Sequence, residues 1–426
     1  MLKTSATAAP DGPAATGTRT RTGGEAIVDG LVAHGVDTVF ALPGAQIYGL
    51  TDALAREDRI RTIGARHEQT SAYMAFGYAR ASGRPGVCAV VPGPGILNAS
   101  AALLTAQGCN VPVLALTGDV MSAFKGRERG MLHELRDQLT VLRAITKSAE
   151  AVEHPSQVPT LIAHAFQQMT SGRQGAVALQ GFWDFFGTPA AVGPCVPLPR
   201  LAPPPLDPDS ITQAATLLAR ARAPMIFTGS GALDASAAVT RLAETLGAPV
   251  VSLRGGRGVV SDDHPLGFTV AAGARLWPEA DVAVVIGSRF ELLDIRWRYR
   301  PKGLKIIRID IDPAEIRRLA VDVSIVADAA EASDALTQAI EKAGPPPRRD
   351  EAIRDAKAAA EQAIQVVQPQ IDYLKVIRNV LPRDGFFVDE ISQVGFASIF
   401  GFPVYQPRTL VTAGYQGTLG FGFPTA

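Results

Sequence analysis

A glutamate, Glu68, stands in the run Arg66-His67-Glu68-Gln69, between a short apolar stretch and a helix-forming stretch that holds Tyr73, Met74, Ala75, Phe76, Gly77 and Tyr78. By position alone, a carboxylate in a helix's first turn is a dipole or capping group worth roughly 0.3–1 kcal/mol. Its company changes that reading. Leu42-Pro43-Gly44 closes the strand expected at Thr38–Ala41, Gly93-Pro94-Gly95 closes the one expected at Gly86–Val91, and Asn98 follows. All of these fall at the carboxyl ends of parallel strands, where open α/β sheets bind ligands. Gly229-Ser230-Gly231 holds the same place after a strand at Met225–Thr228. The third glycine of a dinucleotide fingerprint is missing there, and a tight turn explains the pair equally well. No Gly-Lys-Ser/Thr phosphate loop occurs, and Cys88, Cys109 and Cys195 have no metal-like spacing.

The elements that must position these groups follow from apolar pattern. Strands at Thr38–Ala41, Arg61–Gly64, Gly86–Val91 and Val113–Thr117 alternate with helices at Ile47–Leu54, His67–Ser82 and Leu97–Gln107. Such alternation predicts an α/β fold of doubly wound parallel-sheet domains. A second unit places strands at Met225–Thr228, Val250–Ser252, Val282–Ile286 and Lys305–Ile309, and a third a helix at Ile371–Val380 with strands at Phe386–Asp389 and Thr409–Val411. The resulting division is a disordered tail over 1–22, a domain over 23–188, a proline-rich linker over 189–208, a middle domain over 209–343, a linker and helix over 344–370, and a partial domain over 371–426. A length of 426 residues agrees with two to three domains at ~150 residues each. Forty-one basic residues balance 41 acidic ones, so no global field draws nucleic acid or a membrane surface. No window approaches the ~18 uninterrupted apolar residues of a membrane span. Few cysteines and no apolar leader predict a cytoplasmic protein.

Six stretches in order, "GVDTVFALPGA", "RHEQTSAYMAFGYAR", "GVCAVVPGPGILNA", "GRGVVSDDHPLG", "RIDIDPAEI" and "GTLGFGFPTA", resemble thiamine-diphosphate-dependent enzymes of the acetolactate synthase and pyruvate decarboxylase superfamily. The resemblance runs from about Gly24 to the last residue. It implies a pyrimidine-binding domain, a middle domain and the start of a diphosphate-binding domain. It also implies that Glu68 is the buried glutamate that hydrogen-bonds the pyrimidine ring nitrogen and so turns the exocyclic nitrogen into a base, its pKa raised by burial. Pro43, Gly44, Gly93, Pro94, Gly95 and Asn98 would surround that ring. Leu419 would be the bulky residue under the V-shaped cofactor, with the Gly417 carbonyl accepting from its amine. Ile391, Ser392 and Gln393 would face the diphosphate.

Three departures bear on what this implies. The superfamily holds Mg²⁺ through a Gly-Asp-Gly turn and a later Asn. The Asp-Gly pairs here, at Asp11, Asp29 and Asp384, lack the preceding glycine, and the last asparagine is Asn379. The resemblance thus places the metal motif beyond Ala426, assigns no metal ligand within the chain, and implies that the 426 residues alone are inactive. Acetolactate synthases carry Phe-Gln-Glu where Leu132-His133-Glu134 stands, so His133 is either a proton donor or acceptor for substrate or a surface histidine in a charged loop. The glycine- and methionine-rich flavin loop is replaced by "FTVAAGARLWPEAD", which argues against FAD. The function implied is decarboxylation of a 2-oxo acid, with aldehyde release or carboligation, by a homodimer or homotetramer joined through small residues such as Ala72, Ala75, Ala101 and Ala102. The alternative is a non-catalytic α/β remnant that dimerises or binds a nucleotide.

Overall fold

The computed structural model describes residues 17–291, 297 and 299–426. Eight strands make the first unit: β1 (Arg19–Thr22), β2 (Thr38–Ala41), β3 (Arg61–Gly64), β4 (Gly86–Val90), β5 (Val113–Asp119), β6 (Ser148–Val152), β7 (Val177–Phe182) and β8 (Pro189–Val192). Six of them form a parallel sheet in the order β3-β2-β4-β5-β7-β6. Every residue of β4 and β5 is buried, as expected of strands covered by helices on both faces. The chain steps from β2 outward to β3, then crosses back to β4. Strand order therefore reverses between β2 and β4, and a crevice opens at their carboxyl ends.

Two expectations are corrected here. Residues 1–16 of the tail lie outside the described residues, but Arg19–Thr22 are a strand, paired antiparallel with Pro189–Val192 at the head of the expected linker. A two-stranded ribbon tolerates Pro189 because proline lacks only one donor and sits at the strand's first position. The pairing ties the start of the first domain to its end. The second correction is confined to three of the small residues expected to join two copies. Ala72, Ala75 and Ala102 are buried within the chain, where helix Glu68–Ser82 packs on helix Pro94–Gly108. Small residues allow that close approach inside one molecule, so they are not free for a second copy.

The middle unit contains β9 (Pro224–Thr228), β10 (Val250–Ser252), β11 (Gly267–Phe268), β12 (Val282–Ile286), β13 (Lys305–Asp310) and β14 (Val323–Val326). They form a second parallel sheet, β11-β10-β9-β12-β13-β14, whose order reverses between β9 and β12. The expected linker and helix over 344–370 contains the helix Asp350–Ala363.

The third unit carries only β15 (Phe387–Val388) and β16 (Leu410–Val411), paired in parallel. Its own core is small: Ile371, Leu374, Ala397, Phe402, Val404 and Leu410. Val411, Ala413 and Phe421 are buried in the first unit's core, and polar clamps come from the middle unit. Arg257, fully buried, donates to the carbonyls of Ile399 (2.8 Å) and Phe402 (2.7 Å) and pairs with Asp262 at 2.5 Å. Arg254 donates to Asp389 at 2.8 Å. Burial lifts the Asp389 carboxyl to about 6, and the Arg254 charge only partly offsets that. The chain's last segment also docks on the first domain. A Cβ on Gly77 would lie 2.0 Å from the Thr425 carbonyl oxygen, so only glycine lets this mid-helix position accept the segment. Among the described residues no helix is long and apolar enough to cross a membrane.

Candidate active site

The crevice between β2 and β4 gathers the residues singled out by position. Glu68 opens helix Glu68–Ser82, capped by His67, whose Nδ1 accepts from the Gln69 N–H at 3.2 Å. Asn98, one turn into helix Pro94–Gly108, donates from Nδ2 to Glu68 Oε2 at 3.0 Å. Among the described residues, Glu68 Oε1 has no hydrogen-bond partner. A Cβ on Gly95 would lie 3.4 Å from that oxygen. The side-chain-free surface of Gly95 therefore sits next to an unengaged carboxylate oxygen. Gly44 approaches the other side of the crevice, and Val91 lies between, since a Cβ on Gly44 or Gly95 would strike its methyl groups at 2.3 and 2.5 Å. Pro43 and Pro94 are exposed at the rim.

Gly93 adopts φ +58°, ψ −117°, a conformation essentially reserved for glycine. A Cβ there would also meet the His133 carbonyl oxygen at 2.4 Å. His133 thus reaches the site from a distant loop. It holds the left-handed φ of +61°, rare for a residue with a side chain, and its buried Nδ1 has no partner. Gln46 fixes the same loop by donating from Nε2 to the Leu132 carbonyl at 2.9 Å.

One expected property fails. Glu68 is half-buried, not buried, within this chain. Tyr48 is 60% exposed and Leu132 54% exposed, so these large apolar side chains are uncovered as well.

The C-terminal residues form a second group that does not converge with Glu68. Leu419 is 72% exposed and Gly417 is left-handed at φ +57°. Thr418 shares a 3.0 Å hydroxyl contact with Thr105, about 10 Å along the helix from Asn98 at 1.5 Å per residue. Ser392 caps helix Gln393–Gly401, its hydroxyl accepting from the Gly395 N–H at 3.2 Å, and Gln393 accepts from Gln370 at 2.7 Å. The turn that follows Leu419 is held by a residue that sequence reasoning missed. Glu390 accepts from the N–H groups of Ile391 (2.7 Å), Gly420 (3.3 Å) and Gly422 (2.9 Å). Glu390 precedes Ile391, the first residue of the stretch expected to face the diphosphate, and a carboxylate at a strand's end was the available signal.

The fit to an aminopyrimidine ring can be judged from these donors. An unpaired carboxylate oxygen beside bare glycine backbone suits a ring nitrogen that must share a proton, and the His133 loop lies against the same Gly93 turn. Among the described residues, no group of three His, Cys, Asp or Glu side chains is placed to hold a metal ion, so these residues do not fit a Mg²⁺ site.

At the other reversal, between β9 and β12, a cavity of about 1030 Å³ is lined by Ser230, Gly287, Ser288, Arg289, Asp310 and Tyr415, among others. Arg289 stacks 4.6 Å over the Tyr415 ring.

Comparison with known proteins identifies the family. The family description "Thiamine pyrophosphate enzyme, N-terminal TPP binding domain" matches residues 21–141, and "Thiamine pyrophosphate enzyme, central domain" matches residues 211–336. The chain is 34% identical to a probable 2-ketoarginine decarboxylase of Pseudomonas aeruginosa, over 95% of this chain and 74% of that protein. It is 33% identical to a probable acetolactate synthase large subunit of Methanocaldococcus jannaschii, over 95% and 72%. It is 30% identical to the acetolactate synthase isozyme 1 large subunit of Escherichia coli, over 96% and 75%. With both family descriptions matched and relatives covered to this extent, the chain belongs to the thiamine pyrophosphate enzyme family and is a thiamine-diphosphate-dependent enzyme of the decarboxylase and carboligase type.

Proposed function

We propose that this chain decarboxylates a 2-oxo acid and releases the aldehyde, using Glu68, Asn98, Gly93, Gly95 and His133 around the pyrimidine ring. The carrying observation is the free Glu68 Oε1 beside Gly95, with its other oxygen fixed by Asn98. Bound thiamine diphosphate supplies the thiazolium carbon that adds to the substrate carbonyl and takes up the electron pair left when carbon dioxide departs. Glu68 holds a proton at Oε1 for the ring nitrogen, and Asn98 prevents the carboxylate from turning away. His133 offers Nδ1, free of protein partners, to exchange a proton with substrate. An acid at that place favours protonation and aldehyde release over addition to a second carbonyl.

Exposed Tyr48, Leu97, Leu132 and Leu419 support a homodimer or larger homo-oligomer in which a second copy covers the crevice and brings its own Gly417 and Leu419. Ser392 and Gln393, at a helix N-terminus beyond β15, are the proposed diphosphate contacts. Mg²⁺ belongs to the proposal only through ligands outside the described set. The cavity between β9 and β12 supports a second, independent reading: two glycine turns at a sheet reversal, with room for a nucleotide. Flavin is not part of the proposal, which places the protein in the cytoplasm.

Product analysis tests the catalytic reading. The cofactor-loaded protein should convert a 2-oxo acid to carbon dioxide and aldehyde. His133→Gln should lower aldehyde formation by about 10²-fold and raise the share of 2-hydroxy ketone. An unchanged product ratio would remove His133 from proton transfer.

A further inference from the structure

Behind the Gly93 turn, buried side chains form a continuous relay that neither catalysis nor the family match assigns. The Gly93 N–H donates to Gln138 Oε1 at 2.8 Å. Gln138 Nε2 donates to the Gly118 carbonyl at 2.9 Å and to Gln180 Oε1 at 3.2 Å. Gln180 Nε2 donates to Asp119 Oδ2 at 3.0 Å, and the relay ends at Lys125 Nζ, 2.5 Å from the same oxygen. Gln138, Gln180 and Asp119 are buried, whereas Lys125 reaches the surface.

The sense of this relay is fixed by its charged end. An ionised carboxylate only accepts, so Gln180 must turn its amino group toward Asp119 and its oxygen toward Gln138. Gln138 must then present its amino group to Gln180 and its oxygen to Gly93. One buried charge thus orients two amides in series and leaves an acceptor at the one backbone donor that needs it. Lys125 and Gln138 also bracket the loop that carries His133, and the His133 carbonyl rests against Gly93.

We propose that Gln138 is a positioning residue for the thiamine site. Oriented through Gln180 by the Asp119–Lys125 pair, it holds the Gly93 turn in its glycine-only conformation and ties that turn to the His133 loop. The proposal rests on the assignment of the Gly93 turn to the pyrimidine ring. Losing one buried hydrogen bond of this kind is worth about tenfold in an equilibrium.

Hydrogen–deuterium exchange on the cofactor-free chain tests it, with Gln138→Leu and Lys125→Met. Gln138→Leu should speed exchange about tenfold in the peptide 91–98 and in 127–138, leave β4 and β5 unchanged, and weaken thiamine diphosphate binding about tenfold. Lys125→Met leaves the buried Asp119 carboxylate without its cation, so it should lower the thermal midpoint and speed exchange in the same two peptides several-fold, well beyond any change in β4 and β5. Acceleration spread evenly over the domain, or none in 91–98, would overturn the proposal. Should Gln138→Leu fail to fold, unaltered exchange in Lys125→Met overturns it alone. Failure of the wild-type chain to bind thiamine diphosphate would instead overturn the site assignment, and the exchange data, taken without cofactor, separate the two.

Discussion

Glu68→Gln is expected to slow hydrogen exchange at the thiazolium carbon of bound thiamine diphosphate by about 10²–10⁴-fold, the usual contribution of a positioned acid or base. The substitution preserves shape, and its amide oxygen can still accept from Asn98 Nδ2, now 3.0 Å from Glu68 Oε2. Glu68 is half-buried, so exchanging charge for amide leaves no stranded group in the core. What disappears is the ability to hold a proton at the oxygen facing Gly95. Proton NMR in deuterated water reads the exchange directly, and a thermal midpoint within a degree or two of wild type would show that folding is intact. Exchange at the wild-type rate would take Glu68 out of the chemistry.

Arg257→Ala should be the most damaging single change outside the large apolar cores, at about 3–5 kcal/mol. Arg257 is fully buried and makes three contacts, to Asp262, Ile399 and Phe402. Removing it strands the Asp262 carboxylate, which also accepts from the Val404 N–H at 2.8 Å, and leaves two carbonyls without their donor. The segment it clamps, around Ile399 and Phe402, belongs to a six-residue core, whereas the apolar packing of this unit on the first domain runs through Val411, Ala413 and Phe421. The loss should be local before it is global. Limited proteolysis should cut first between Ile399 and Thr409, at denaturant concentrations where β2, β4 and β5 still resist. A variant that loses less than about 1 kcal/mol, a surface-like value, would mean that the third unit is held by other contacts.

How much of this was legible in the sequence depends on whether burial was periodic. β2, β10 and β12 were placed to the residue, because buried strands of this kind read as apolar runs. The turns at Gly44 and Gly93 were legible for the same reason, since glycine and proline punctuate the ends of those runs. β1 and β8 were not: the tail looks polar, and eight prolines between Pro189 and Pro208 mask a four-residue edge pairing. Gln138 and Gln180 escaped because an amide carries no charge and no period. Yet Gln180 interrupts the apolar run Val177–Phe182, and a polar residue inside a buried strand is a signal that a partner must exist. Glu68 was overread in one respect. The resemblance implies a buried glutamate, but burial depends on what covers a site, and the cover is not written beside the residue. Leu419 shows the same limit, since its role predicts contact and the chain alone leaves it in solvent.

The central claim, that Glu68 engages the ring nitrogen of thiamine, has a direct test in binding. Calorimetric titration would compare thiamine diphosphate with the pyridine analogue in which a C–H group replaces the ring nitrogen facing Glu68. A hydrogen bond to a charged group is worth about 1.5–3 kcal/mol, so the wild-type chain should prefer the natural cofactor at least tenfold, and Glu68→Ala should lose that preference. Equal affinity of the wild-type chain for the two compounds would contradict the claim.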